Sequence, residues 1–404
     1  MIAARGYVIL PLMNGKEKNI TRRAVIASDF AQTISACVEE LLPAGHIGIA
    51  FEMADAALAD DISAALGVQK FKISRFSFAD GTLPSHEAAG DIISAPESIR
   101  LLICASNNIA DVVKYAASRR GIEWIFCPSG PDILPYACGC AVLGWGAWAE
   151  RLPARPPAAI AADRGRMERT LGREKAAAYA SFYAERLHCK EIECENLLFG
   201  RRSEDTSALA DICAAALKEG DNLADYSLKA ALERQKIGLQ GEGAARAFAR
   251  IISAVSDDGR SVSENCFICT RVLTEIYLMT LSYEGTDVFI PPDRADCAAK
   301  LGKLCGGDKL SLISGLKKGG SFERTAYVMR EYRKDMLEIL QALGENSAEY
   351  ARTFRRMYDD AGFWLGKYVR PADLIYLTAL ALPLMDRDSF AGAAADKGLI
   401  NFLV

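Results

Sequence analysis

The hydrophobic positions of this chain change their period partway along it. From residue 46 to about residue 128, short apolar runs alternate with segments whose apolar residues recur every three or four positions. "HIGIAF" (46–51) predicts a strand, "ADAALADDISAALG" (54–67) an amphipathic helix stopped by Gly67, and "KFKISRF" (70–76) a second strand. A loop through "ADGTLPSHE" leads to a helix near 86–94, a strand over 99–105, a helix over 109–119 and a strand over 122–128. Strands and helices following one another at this spacing imply a parallel sheet with helices on both faces. The first residues, "MIAARGYVILPLMNGKEKN", hold one early basic residue, Arg5, and an apolar patch interrupted by Pro11, a pattern that predicts a first strand rather than a signal peptide.

Near residue 150 the period becomes helical throughout. The stretch "RLPARPPAAIAAD" marks the change, and beyond it helices are expected over 166–187, 205–219, 223–235, 241–256, 263–281, 321–343, 346–366 and 371–385. In 321–343, Val328, Tyr332, Met336, Ile339 and Leu343 recur every three or four residues and Gly344 follows as a stop. The expectation is a two-domain chain: an α/β Rossmann-like domain over 1–160 and an all-α domain over 161–404, with a cleft between them. A length of 404 residues agrees, because single cores stop growing at about 250–300 residues.

Composition narrows the function classes. A formal net charge of -4 with intermixed signs argues against sequence-independent nucleic-acid binding, which needs a concentrated basic face. The longest apolar run, Tyr136 to Ala149, has 14 residues, short of the ~20 of a membrane-spanning helix. Twelve cysteines scattered over the whole length read as small buried hydrophobes in a reducing compartment, so a cytoplasmic protein without nucleic-acid or membrane partners is expected. Its partner is then a small molecule in the interdomain cleft or another protein.

Candidate chemistry follows from the alternation, because open parallel sheets bind ligands where strands turn into helices. Glu52 follows "IGIAF", where it reads either as an acceptor for ribose hydroxyls or as an ordinary surface glutamate. The turn Ala105-Ser106-Asn107-Asn108 precedes the helix 109–119, whose first amides favour an anion. The Asn and Ser side chains there serve equally as caps, and they crowd the close backbone approach that a pyrophosphate needs. Cys266-x-x-Cys269 reads as packing cysteines ahead of a soft-metal site, and Cys138-x-Cys140 as packing or a partner surface ahead of redox chemistry. "GLQGEG" (238–243) follows a helix and not a strand, which removes it as a phosphate loop. Arg352, Arg355 and Arg356 share their helix with Asp359 and Asp360 and read as a solvated face.

The run "CASNNIADVVKYAASRRGIEWIFCPSGPDILPYACGCAVL" and, after it, "PPAAIAADRGRM" resemble the central stretch of the iron-containing alcohol dehydrogenase and dehydroquinate synthase superfamily, most nearly the glycerol-1-phosphate dehydrogenases. Asp111, Lys114, Tyr115, Ala116 and Ala117 match the family's D-x-x-K-x-x-A helix, Pro128, Ser129 and Pro131 its P-T-x-P-S strand end, and Pro157 with Asp163 its P-x-A-x-x-x-D segment. The resemblance implies a dehydroquinate synthase-like fold and an NAD(P) cofactor held by Glu52, Ser106, Asn107, Asn108, Asp111, Pro128, Ser129 and Pro131. It also implies what has been lost. The family's glycine turn is here Ala105, Ser106 and Asn107, with Asn108 at its Thr/Ser position, and an acidic substrate contact is replaced by Leu134. The positions that match its three metal ligands carry Tyr179, Asn265 and Glu284. The chain's three histidines are His46, His86 and His188, so the last 216 residues can supply no imidazole. The expectation is a catalytically degenerate homologue with weak NAD(P) binding and without metal. The alternative is an active NAD(P)-dependent oxidoreductase acting on a small phosphorylated alcohol or ketone.

Overall fold

The computed structural model describes residues 20–67, 70–145, 148–170, 172–200, 205–239, 242–255, 261–283, 293–304, 329–359, 371–385 and 389–397. The expected first strand within 1–19 lies outside the described residues. Two compact units divide the chain. The first comprises the described residues within Met1–Trp145, Ala149–Ala178 and Asp221–Gly241, and the second those within Gly146–Trp148, Tyr179–Gly220 and Glu242–Val404.

The first unit is built on a six-stranded, wholly parallel sheet. Its strands are β1 (Arg23–Ala27), β2 (Gly45–Glu52), β3 (Phe71–Phe78), β4 (Ile99–Cys104), β5 (Glu123–Phe126) and a strand at Ala159–Asp163, in the order β1, Ala159–Asp163, β5, β4, β2, β3. Between them run α1 (Phe30–Leu41), α2 (Ala56–Leu66), α3 (His86–Ile93) and α4 (Ala110–Arg120). A separate two-stranded sheet pairs β6 (Cys140–Trp145) with β7 (Trp148–Pro153), which makes Ala159–Asp163 β8. Parallel strands covered on both faces are apolar nearly throughout, and β2 and β4 follow this: in β2 only Gly45 is exposed, and in β4 only Arg100. Helix ends follow local chemistry. Asp29 caps α1 by accepting from the Gln32 amide, Ser85 caps α3 by accepting from the Ala88 amide, and Gly67 and Gly121 close α2 and α4 with positive φ.

The winding of the sheet reverses at β2, with β3 to one side and β4 to the other. In open α/β sheets that reversal opens a crevice at the carboxyl ends of the two strands, here Glu52 and the turn after Cys104. α8 (Leu223–Lys236) belongs to this unit. Ser227 Oγ accepts from the amides of Ile133 and Leu134, and Gln235 Nε2 donates to the Ala137 carbonyl.

The second unit is helical. It contains most of α6 (Gly172–Phe199), then α7 (Ser207–Glu219), α9 (Ala244–Val255), α10 (Val262–Ser282), α11 (Arg294–Leu304) and the further helices Arg333–Gly344, Ser347–Asp359, Pro371–Ala381 and Phe390–Asp396. A short helix, α5 (Arg164–Arg169), precedes α6. The expected single helix over 166–187 is therefore two helices. Among the described residues no helix is long and apolar enough to cross a membrane.

Gly48 tests how closely β2 is packed. A Cβ there would lie 2.7 Å from Leu102 Cδ2 and 2.8 Å from Phe76 Cε2, closer than van der Waals contact allows. Gly48→Val is expected to destabilise the chain by about 1–3 kcal/mol, the range for overpacking a filled core. Urea unfolding followed by circular dichroism measures it.

Candidate functional site

Glu52 ends β2 at the sheet's reversal point, where the strand pattern placed it, but it is not the surface glutamate of one of its two readings. It is 4% exposed. Its Oε1 accepts from the Gly81 amide at 2.8 Å and the Thr82 amide at 3.2 Å, both in the loop after β3, and its Oε2 accepts from Asn108 Nδ2 at 3.0 Å. The Glu52 amide donates to Ser106 Oγ at 2.8 Å. Burial pushes its carboxyl up to about 7, while the hydrogen bonds from Asn108, Gly81 and Thr82 oppose that rise.

The turn after β4 is tied down by its own side chains. The Asn107 amide donates to Ser129 Oγ, and Asn107 Oδ1 accepts from the Ser129 amide at 3.1 Å. Asn107 Nδ2 donates to the carbonyls of Asp132 at 3.1 Å and Gly130 at 3.4 Å. One side chain thus joins the loop after β4 to the loop after β5. Ser106 is fully buried, and Pro128 and Pro131 are buried in the second loop.

Asp55 is a member of this site that sequence reasoning did not single out. It ends the short 3-10 turn Met53–Asp55 after β2. Burial raises its pKa, and the nearby hydroxyls of Ser106 and Ser129 and the charge of Arg166 oppose that rise. The signal for it was an acid three positions after Glu52 in "FEMAD".

Asp111 lies in the first turn of α4, as expected, but its carboxylate is paired with Lys114 Nζ at 2.7 Å, and the Lys114 side chain is wholly buried. Burial pushes Lys114 down, and the opposing pull of Asp111 and Cys138 outweighs it, so the ammonium is held as a cation. α4 has Ile109 at its N-cap and no side-chain cap. Leu134 is buried and held through its amide by Ser227.

The two described counterparts of the family's metal ligands lie in the helical unit. Tyr179 on α6 is fully buried, and its hydroxyl donates to the Leu217 carbonyl at 2.9 Å. Asn265 on α10 is fully buried, with Nδ2 donating to Ser253 Oγ at 2.8 Å. Glu284 lies outside the described residues. A catalytic zinc or iron site draws on deprotonated carboxylate and neutral imidazole donors. A phenol whose pKa burial raises, engaged as a hydrogen-bond donor, and a neutral amide do not fit that ion. The stretch around Asn265 has a structural role as well: Ser261 and Glu264 form the capping box that starts α10. Cys266 and Cys269 are buried packing residues. Among the described residues no group of three or more His, Cys, Asp or Glu is arranged to hold a metal.

No protein-family model and no curated protein matches this chain. Solved structures do. A glycerol dehydrogenase from Schizosaccharomyces pombe is 13% identical over 87% of this chain and 94% of its own, with a TM-score of 0.52. An iron-containing alcohol dehydrogenase from Thermotoga maritima is 11% identical over 80% of this chain and 99% of its own, at 0.51. A mutant alcohol dehydrogenase from a halo-thermophilic archaeon of a Red Sea brine pool is 11% identical over 97% and 99%, at 0.53. At such identities the likeness carries the fold: this chain has the iron-containing alcohol dehydrogenase fold.

The raised carboxyl of Glu52 has a consequence for stability with a definite sign. Its pKa is about 7 in the folded chain against an ordinary 4.5, so the folded state binds the proton more tightly. Its contribution is complete below 4.5 and declines as the pH rises through about 7. Glu52→Gln, which stays neutral, is expected to flatten that decline, so the variant gains on the parent between about pH 5 and about pH 8 in urea midpoints.

Proposed function

We propose that this chain is a binding protein on a dehydrogenase fold, which has given up metal-dependent hydride transfer and takes a small-molecule ligand or a protein partner in place of a nicotinamide dinucleotide. The observation that carries this reading is the hydrogen-bond network of Glu52, Ser106, Asn107 and Asn108 at the reversal point of the sheet. A dinucleotide needs that crevice open and a backbone its pyrophosphate can approach. Here side chains bridge the two strand ends, and Asn107 ties the turn to the loop after β5.

Charge supports the same reading. Glu52, Asp55 and Asp111 gather at this end of the sheet, and the cation of α4, Lys114, is engaged by Asp111. A pyrophosphate brought there would meet carboxyl groups and would have to compete with Asp111 for Lys114. Tyr179 and Asn265, whose hydroxyl and amide nitrogen are engaged by Leu217 and Ser253, add that a phenol and an amide stand at the two described positions where the resemblance assigns donors for the carbonyl-polarising ion of a metal-dependent dehydrogenase. The likeness to glycerol-1-phosphate dehydrogenases is then one of descent and not of activity.

One observation favours the second reading, an active NAD(P)-dependent oxidoreductase for a small phosphorylated alcohol or ketone. α4 begins without a side-chain cap, and uncapped first-turn amides favour a phosphate. Asp111 in that same turn opposes it.

Calorimetric titration with NADH and NADPH, with and without added zinc, separates the two. The expected outcome is a Kd of about 1 mM or weaker, equivalent to ~4 kcal/mol or less of binding free energy, with zinc making no difference. Submicromolar binding of either nucleotide would overturn the proposal. Metal analysis after dialysis is expected to give well under one zinc, iron or nickel ion per chain, and a stoichiometric, tightly held ion would equally overturn it.

A further inference from the structure

Lys114 has a second neighbour besides Asp111. The segment after the 3-10 turn Leu134–Tyr136 leads into β6 through Cys138-Gly139-Cys140, and the two thiols meet there, Sγ to Sγ at 3.6 Å. Lys114 Nζ lies 3.7 Å from Cys138 Sγ and donates to the Cys140 carbonyl at 2.8 Å. A buried ammonium, anchored by a carboxylate on one side and a carbonyl on the other, thus faces one sulfur of a contacting pair.

We propose that Cys138 and Cys140 are a reversible dithiol–disulfide pair, in which Cys138 is the sulfur oxidised by small hydroperoxides, Cys140 resolves it, and Lys114 is the fixed cation that favours the Cys138 thiolate. The assignment of roles follows from the geometry. The Cys140 thiol can donate to Cys138, and Lys114 adds its charge, with Arg234 contributing at longer range; these hold Cys138 well below the ordinary thiol range, while the hydrogen bond to Cys138 and burial push Cys140 above it against the charge of Lys114. Against this, burial raises Cys138, and the carbonyls of Cys140 at 3.3 Å and Pro135 at 3.6 Å accept from its protonated form.

The chemistry balances with a hydroperoxide as the oxidant. The Cys138 thiolate attacks the terminal peroxide oxygen, the O–O bond breaks, and the departing hydroxide of hydrogen peroxide, or the alkoxide of an organic hydroperoxide, takes up the proton that Cys138 had released and leaves as water or an alcohol. Cys138 is then a sulfenic acid, oxidised by two electrons. The Cys140 sulfur attacks it, the S–O bond breaks as the S–S bond forms, and the hydroxyl leaves with the Cys140 proton as water. A dithiol reductant reverses the net change by exchange. The sulfurs must close from 3.6 Å to about 2.05 Å, and Gly139 between them offers the least resistance to that turn of the backbone. Cys138 is 7% exposed and Cys140 5%, which admits a molecule the size of water more readily than a bulky disulfide.

The test uses the full reduced chain, treated with stoichiometric hydrogen peroxide, then alkylated in denaturant and mapped by mass spectrometry. The peptide carrying Cys138 and Cys140 is expected to lose two hydrogens ahead of any change at Cys104, Cys127 or Cys266, and to regain them with dithiothreitol. In Cys140→Ser a 1,3-dione probe is expected to trap a sulfenic acid at Cys138. In Cys138→Ser none is expected at Cys140. Replacing the buried pair together, Lys114→Met with Asp111→Asn, avoids stranding a lone carboxylate, and is expected to slow Cys138 oxidation by about tenfold or more, the change in thiolate fraction per pKa unit. Failure of the wild-type peptide to lose hydrogens, oxidation no faster than at the other buried cysteines, or equal trapping in both single variants would each overturn the proposal. The wild-type arm stands on its own if the double variant does not fold.

Discussion

The carboxyl group of Glu52 occupies the one place in a doubly wound sheet where two neighbouring strands send their chains in opposite directions. A carboxylate buried there must be met by donors, because the penalty for an unpaired buried charge exceeds what the surrounding packing supplies. Two backbone amides of the loop after β3 and the Asn108 amide meet it, so a single residue joins the ends of β2, β3 and β4. The choice of residue in the turn after Cys104 follows from this. A glycine turn over 105–107 would leave the Glu52 amide without Ser106 and the loop after β5 without Asn107. The crevice that other proteins of this architecture keep open is here part of the internal hydrogen bonding.

The helical unit tells the same story with different chemistry. At the positions that resemble metal ligands, Tyr179 donates its phenol to a helix-end carbonyl and Asn265 its amide to a serine, while Asn265 Oδ1 is buried without a hydrogen-bond partner among the described residues. Buried polar groups are mostly partnered, so the phenol and the amide nitrogen follow the rule and the amide oxygen is its exception.

Much of the first unit was legible in the sequence. Strands β2 to β5 and helices α2 to α4 sit within a few residues of where alternation and helical spacing put them, because each combines a clear period with a stop such as Gly67 or Gly121. β8 was not legible: "AIAAD" is mostly alanine, a helix former, and it is a strand because it lies between β1 and β5 with partners on both edges. β1 and α1 were passed over for the shortness of "RAVIA". α11 gave too little contrast between its faces to be noticed. At the site, Glu52 and the turn 105–108 could be located from sequence, but not what engages them, since Gly81, Thr82, Ser129 and Asp132 are 22 to 30 residues away and meet them only through the register of the sheet.

The motif that carries the family resemblance explains why fold and chemistry part company. Asp111 and Lys114 stand three apart on α4, so they share a face, and that face is buried. Lys114 spends its charge on Asp111, on the Cys140 carbonyl and on the Cys138 sulfur, which pins the start of β6 against α4. Removing either member of such a pair strands the other in a low-dielectric interior, a loss of about 3–5 kcal/mol where it has been measured. The pair is therefore retained by folding alone, whatever becomes of a ligand at the end of the helix. Ser261 and Glu264 behave alike, since their capping box starts α10 whether or not residue 265 is a histidine. A sequence pattern built from residues that hold the fold together, such as Asp111, Lys114, Ser261 and Glu264, reports architecture whatever the activity.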